Sequence, residues 1–143
     1  MKYLSIISFF LTCMSLLSGC KSQDYQPETY PDAQIIFGSG GGFTGMVSTY
    51  VLLEDGRIYD KAPTSDSFSL LKKGKKKMAK ALFAQLNEMK MAETTVDAPG
   101  NLYYFIEMKG PDPETYRLVW GDQAAEVPDT LLSLYRSLMD ATK

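Results

Sequence analysis

Apolar residues recur along this chain with two different periods, and its fold must accommodate both. Between residues 75 and 91 they lie three and four positions apart: Met78, Leu82, Phe83, Leu86 and Met89. This spacing is typical of an amphipathic helix. A second set alternates between residues 102 and 109: Leu102, Tyr104, Ile106 and Met108. Alternation is typical of a strand with one buried face, so the chain combines helix with sheet.

Further segments complete the predicted order of elements. Residues 35–37, 46–54, 57–59 and 116–120 have strand character, with a turn at Glu54-Asp55-Gly56. Pro128 suits the first turn of a second helix, whose apolar stripe is Leu131, Leu134, Tyr135 and Leu138. Two helices with one apolar face each need one sheet face to cover. We therefore expect an α+β fold, a two-layer sandwich with an antiparallel sheet of four to five strands and both helices on one face.

The first residues have the features of an export signal. Lys2 precedes an apolar run that is too short for a membrane span of about 20 residues. The run ends in Leu17-Ser18-Gly19-Cys20, which resembles the lipobox of bacterial lipoproteins. The resemblance implies cleavage before Cys20 and acylation of that cysteine, which would anchor the mature chain in a bilayer. The alternative is an ordinary secretory signal in which the cysteine occurs by chance.

Three segments follow from this interpretation. Residues 1–19 are the lipoprotein signal peptide, residues 20–32 are a lipidated flexible tether rich in polar residues and proline, and residues 33–143 form a single α+β domain. Location is implied by the resemblance to lipoproteins: the bacterial cell envelope. Lys21 stands where an inner-membrane retention signal has aspartate, which favours the outer membrane. The choice between its periplasmic and surface faces stays open.

Composition excludes much catalytic chemistry. The chain has no histidine, which rules out Ser-His-Asp catalysis, Cys-His catalysis and histidine-ligated zinc. Of its two cysteines, Cys13 leaves with the signal and Cys20 is acylated, so the mature chain keeps no free thiol. Removing Lys2 from 15 basic residues while keeping 17 acidic ones leaves a net charge of −3, too small to steer the whole molecule. We expect no enzyme activity, no cofactor and no metal site.

A glycine-rich run connects the first two predicted strands. Its pattern, Gly40-x-Gly42-x-x-Gly45, matches dinucleotide and kinase glycine loops in spacing. A strand rather than a helix is predicted after it, and the kinase catalytic motifs are missing, so we expect no nucleotide binding. One interpretation is a mobile connection between strands. The other is a partner-binding loop with Phe43 and Thr44 at its tip, formed by Gly40, Gly41, Gly42, Phe43, Thr44 and Gly45.

Six of the twelve lysines lie within nine positions: Lys72, Lys73, Lys75, Lys76, Lys77 and Lys80. They crowd the start of the predicted helix, where the helix dipole disfavours cations. One interpretation is a solvated helix face; the other is contact with anionic lipid headgroups or lipopolysaccharide phosphate. Nucleic acid is not expected as a partner, because the cluster has no interleaved aromatic residues and the chain is exported.

The sequence leaves open the roles of two further groups of residues, three carboxylates and two aromatic side chains. The sequence does not show whether Asp97, Glu107 and Asp122 converge, so glycosidase-type chemistry is left without support. Tyr103 and Phe105 lie on the less apolar face of their predicted strand. They either pack under long side chains or form a binding patch, and packing is the favoured interpretation.

The segment from Gly41 to Gly45, followed by a strand, an amphipathic helix, a tyrosine-rich hairpin and a proline-initiated leucine helix, resembles the protealysin-inhibitor (emfourin) family. That resemblance implies inhibition of a thermolysin-like metalloprotease. We therefore expect a non-enzymatic, lipid-anchored binding domain whose glycine-rich loop docks into a partner, such as an envelope or extracellular protease. The alternative is an envelope structural protein that contacts anionic lipid or lipopolysaccharide through its lysines.

Overall fold

The computed structural model describes residues 25–89, 93–111 and 115–143. The predicted signal peptide and Cys20 lie outside these residues. The first four strands are β1 (Gln34–Gly41), β2 (Val47–Leu53), β3 (Arg57–Lys61) and β4 (Ser69–Lys73), preceded by a single 3₁₀ turn (Pro27–Thr29). Then follow helix α1 (Lys76–Glu88), strands β5 (Asp97–Ala98), β6 (Leu102–Lys109) and β7 (Thr115–Trp120), and helix α2 (Asp129–Ala141). Within the described ranges, neither helix is long and apolar enough to cross a membrane.

The described strands form one seven-stranded sheet in the order β4-β3-β2-β1-β6-β7-β5. The chain is therefore α+β, as predicted, but the expected number of four to five strands is wrong. The sheet is also mixed, because β5 pairs with β7 in parallel while the other neighbours are antiparallel. Sequence patterning missed β4 because all five of its residues are exposed, so buried and exposed positions do not alternate along it. It missed β5 because a strand of two residues is too short to show a pattern.

The main core lies between one face of the sheet and both helices. Inward residues of β1, such as Ile35 and Phe37, are fully buried there. The helices contribute Leu82, Phe83, Leu86, Leu131, Leu134 and Leu138 to the same cluster. These residues belong to the two predicted helical stripes, so their burial explains why both segments fold as helices.

The opposite face of the sheet is covered by its own aromatic side chains. Phe105 is 3% exposed, and the Arg117 guanidinium carbon lies 4.6 Å from the centre of its ring. The ring also reaches across Gly38, where an added Cβ would lie 3.1 Å from Phe105 Cζ. Tyr103 covers Gly40 in the same way. The packing interpretation of these two aromatic residues therefore agrees with the structure, and arginine supplies the long side chain.

Residues 25–32, the described part of the predicted tether, lie against this second face. Pro27 is buried, and its carbonyl accepts a hydrogen bond of 2.9 Å from the Gln34 side-chain amide. The Tyr59 hydroxyl donates to the Tyr25 carbonyl at 2.8 Å. Tyr30 packs on a smaller apolar cluster formed by Val51, Leu53 and Tyr59. The first described residue is therefore already fixed to the sheet.

The two ends of the sheet differ in what they carry. At one end, which we call the hairpin pole, loop 42–46 joins β1 to β2 and lies beside the first residues of β6. At the other end, the turn pole, residues 54–56 join β2 to β3 and contact residues 74–76. Strand β1 has eight residues, so at about 3.3 Å per residue the two poles are about 23 Å apart.

Candidate functional site

The glycine-rich run is divided between a strand and a loop. Strand β1 continues to Gly41, and each of its residues pairs with β6. Gly40 and Gly41 are therefore strand residues, whereas the other four predicted partner-binding residues, Gly42, Phe43, Thr44 and Gly45, form the loop. Strand β2 follows the loop directly, so the loop does not open a helix, as the glycine-rich loop of a dinucleotide site does.

Backbone hydrogen bonds hold the loop in a defined shape. The Gly42 amide donates to the Asn101 carbonyl at 2.7 Å, and the Gly45 amide donates to the Gly42 carbonyl at 3.2 Å. Gly45 has a φ of +62°, a conformation that residues with a Cβ adopt only with strain. These constraints favour an ordered hairpin over a mobile connection, because the hydrogen bond to Asn101 fixes the loop to the segment before β6.

The hairpin pole gathers exposed apolar side chains. Phe43 at the loop tip is fully exposed, and Met46, Leu102 and Tyr104 are 52%, 59% and 39% exposed. Among the described residues, these are four of the six large apolar side chains that remain exposed; the other two are Leu70 and Leu71 on edge strand β4. Apolar residues scattered singly over a surface are ordinary, but a group at one end of a domain is typical of an interaction site.

Open clefts flank the hairpin on both sides. The smaller has a volume of about 160 Å³ and brings Met46, Leu102 and Tyr104 together. The larger, of about 460 Å³, lies on the other side of the loop and is lined by Thr44, Gly45, Met46, Lys61, Asp66 and neighbouring residues. The loop therefore projects as a ridge between two grooves, a shape that can enter a concave partner surface.

An aromatic cluster supports this pole from the helix side. The Tyr135 ring meets Tyr104 and Trp120 edge to face, with centroids 5.5 and 5.2 Å away. The Tyr135 hydroxyl donates to the Gly38 carbonyl at 3.1 Å, which fixes α2 to β1. Burial raises the pKa of Tyr135 to about 12, with a further contribution from Tyr104. The phenol is therefore neutral at physiological pH and acts here as a structural donor.

Sequence reasoning missed three residues of this site: Met46, Leu102 and Tyr104. It treated Met46 as the start of a strand, and the other two as the core face of another. Leu102 lies beside the loop because Gly41 pairs with it in the β1–β6 register. The two positions are about sixty residues apart in the sequence. The only sequence signal for their contact was that apolar residues occur at strand starts next to turns.

The lysine cluster spans β4 and the start of α1. All six lysines are exposed, and no ion pair found between described residues involves them. Helix α1 has no acidic residue in its first turn and no side-chain cap at Lys75. Lys72 Nζ donates to the Ala141 carbonyl at 3.4 Å, where the C-terminus of α2 attracts a cation. The other five lysines make no such contact within the described residues.

The carboxylates of the described residues do not gather into a recognisable centre. Glu107 forms a 2.9 Å ion pair with Arg117, and Asp122 accepts a 2.9 Å hydrogen bond from the Ala124 amide. Within residues 25–89, 93–111 and 115–143, no group of three or more acidic, cysteine or histidine side chains is placed to hold a metal ion. A cleft of about 490 Å³ beside the helices is lined by Gln85, Glu88, Met89, Thr130 and Ser133, which include a single acidic group.

The chain was compared with known proteins. No model of a protein family matches it, and no curated protein matches it.

Proposed function

We propose that this chain is a non-enzymatic, lipid-anchored binding protein of the bacterial envelope that engages a partner protein through its hairpin pole. The observation that carries the proposal is the group of exposed apolar side chains at and beside the loop: Phe43, Met46, Leu102 and Tyr104. Phe43, Met46 and Leu102 have no evident use in folding where they stand, whereas Tyr104 also packs against Tyr135 and Trp120. The lipobox resemblance at Cys20 supports the anchor, by which the chain would be held in the outer membrane.

Phe43 is the expected anchor of the interface. Aromatic side chains dominate the energetics of many interfaces, and full burial of a phenylalanine side chain contributes about 1.5–3 kcal/mol before ordering costs. Those costs are reduced because the Gly42–Asn101 hydrogen bond already fixes the base of the loop. A preorganised loop loses less conformational freedom when a partner takes it up.

The class of partner we propose is a protease. A narrow hairpin that projects between two grooves suits a cleft, and the resemblance to protealysin inhibitors implies a thermolysin-like metalloprotease. In this proposal Phe43 and Thr44 enter the cleft, while Met46 and Leu102 contact its rim. The chain itself needs no catalytic group, cofactor or metal for this role.

The test uses the acylated mature protein in detergent. It is assayed against a panel of metalloproteases and as bait in an envelope extract. The Phe43→Ala/Thr44→Ala double variant is compared with Leu70→Ala/Leu71→Ala, which removes exposed apolar side chains from β4 instead. We expect inhibition and capture by the unchanged protein and by the β4 variant, and loss of both in the loop variant. Absence of both from the unchanged protein, or equal activity of the two variants, would refute the proposal.

The second candidate function is an envelope structural protein that contacts anionic lipid or lipopolysaccharide through its lysines. The exposed lysine cluster in β4 and α1, which forms no ion pair within the part of the chain that the structure describes, favours it. In that case the loop variant would behave like the unchanged protein in every assay, and binding to anionic surfaces would depend on the lysines alone.

A further inference from the structure

We infer that the turn pole is a second interaction surface, which lies on anionic phospholipid headgroups and points the hairpin pole away from the bilayer. This inference rests on the lipid anchor of the proposed function. It concerns how the anchored domain is oriented, so it holds whichever protein the hairpin pole binds.

The N-terminal segment is attached to the domain at the turn pole. The Tyr25 carbonyl accepts hydrogen bonds from the Tyr59 hydroxyl at 2.8 Å and from Arg57 Nη1 at 3.4 Å. Arg57 is held in turn by Asp55, with nitrogen to oxygen distances of 2.7 and 2.8 Å. Arg57 follows directly on the turn at residues 54–56. The chain therefore joins the folded domain beside that turn.

The lysine cluster lies at the same pole. The Gly74 amide donates to the Gly56 carbonyl at 2.9 Å, and a Cβ added to Gly56 would lie within 3.0 Å of the Lys76 amide nitrogen. Lys73 is opposite Arg57 in the β3–β4 register. The start of α1 and the end of β4 therefore border the turn beside which Tyr25 is fixed.

Chain length keeps this pole close to the membrane. Four residues lie between Cys20 and Tyr25, and the five steps from one to the other, at 3.3 to 3.6 Å each, span at most about 18 Å. Electrostatic screening in physiological salt has a length of about 8 Å. At full extension of this linker the headgroup field is largely screened at the pole, so the lysines interact with the headgroups when the linker is shorter than its full length.

The charge of the pole matches an anionic surface. Three acidic residues, Asp32, Glu54 and Asp55, lie near Tyr30 at this end; burial raises the pKa of that tyrosine, and their negative charge raises it further. The six exposed lysines and Arg57 outnumber them. Since Asp55 is paired with Arg57, the excess positive charge lies on the side of β4 and α1. This side is therefore expected to face the headgroups.

In this orientation the hairpin pole points away from the bilayer. The two poles lie at opposite ends of β1 and β2, about 23 Å apart by the strand rise. A domain that rests on its lysines presents Phe43 at its far end, accessible to a partner. A domain that tumbles on its anchor would bring the exposed apolar loop into repeated contact with the lipid surface.

The test exploits the absence of other thiols. The chain has two cysteines, Cys13 in the signal and Cys20 at the anchor, so one introduced cysteine in the acylated mature protein can be labelled alone. A fluorophore is placed through Lys77→Cys at the turn pole or Thr44→Cys at the hairpin pole. Each protein is reconstituted into vesicles with a headgroup-attached nitroxide lipid, which quenches only at close range.

In vesicles that contain phosphatidylglycerol, we expect at least twofold stronger quenching at position 77 than at position 44. The difference should shrink in high salt and in phosphatidylcholine alone. Adding Lys76→Glu should reduce it, whereas Lys61→Glu, an equal charge reversal beside the hairpin, should preserve it. Equal quenching at the two positions, or equal effects of the two reversals, would overturn the orientation. Either result would leave partner capture by the hairpin pole intact as a separate question.

Discussion

Gly38 offers a sharp test of how closely β1 and β2 approach beneath the hairpin. A Cβ added at Gly38 would lie 2.0 Å from the Ser48 carbonyl oxygen and 3.0 Å from its carbonyl carbon. Both atoms belong to the backbone, so no side-chain rotation can relieve the contact. The Gly38→Ala variant therefore requires the two central strands to separate.

The expected loss of stability follows from this geometry. Forcing an extra carbon into a packed site destabilises by about 1–3 kcal/mol, and a clash with backbone belongs at the upper end of that range. Replacing glycine by alanine in a strand lowers the entropic cost of folding by about 0.5–1 kcal/mol, which offsets part of this loss. We therefore expect Gly38→Ala to lower the free energy of unfolding by about 2 kcal/mol.

Gly45 provides the matched control within the same run. A Cβ there meets nothing within 4 Å, but the φ of +62° is strained for alanine. Adopting that conformation costs about 1–2 kcal/mol, partly offset by the lower entropy of the unfolded chain, about 0.4–1 kcal/mol. Gly45→Ala should therefore destabilise by about 0–1.6 kcal/mol, less than Gly38→Ala.

The assay is urea unfolding of the purified protein, with the midpoint and slope fitted together. Gly38→Ala should lower the midpoint clearly more than Gly45→Ala, with unchanged slopes. If Gly38→Ala is neutral, or milder than Gly45→Ala, the strands do not approach as described and the shape of the hairpin pole must be revised.

Three further outcomes are expected. Stability should fall as pH rises from about 10 towards 12, because the pKa of Tyr135 is raised to about 12 and folding favours its neutral form; Tyr135→Phe should flatten this fall in urea unfolding at stepped pH. Leu86→Ala, in the fully buried core, should cost about 2–5 kcal/mol, whereas Leu70→Ala on β4 should stay within about 0.5 kcal/mol by the same assay. Arg57→Met combined with Tyr59→Phe removes both hydrogen bonds to the Tyr25 carbonyl and should release the segment around it, seen as faster proteolytic cleavage there while the rest of the domain stays intact.

Sequence patterning predicted the helices well because their burial is periodic. Leu82, Phe83 and Leu86 lie three and four positions apart and are all buried, so local pattern and tertiary packing agree. Strand β6 was predicted from its alternating residue types, although its burial does not alternate: Phe105 and Ile106 are both buried, whereas Leu102 and Tyr104 are exposed. Strand β4 could not be predicted this way, because each of its residues is exposed and its ladder to β3 leaves no apolar signature.

The glycine-rich run shows where local propensity fails. Glycine is disfavoured in strands, yet β1 continues through Gly38 and Gly40. Tertiary packing decides the outcome there, because Phe105 and Tyr103 of the neighbouring strand cover the two glycines. The candidate site was predictable only in part. The sequence marked Phe43 and Thr44 as loop residues, whereas Leu102 and Tyr104 lie near them only because β6 pairs with β1.

The central claim is that a partner protein binds the hairpin pole. Its most direct test places a photocrosslinking phenylalanine analogue at position 43 in cells that produce the full chain, with the same analogue at position 70 on the exposed edge strand as control. Irradiation should join the protein to a discrete envelope or extracellular partner from position 43 and not from position 70. No adduct at position 43, or the same adducts from both positions, would contradict the account.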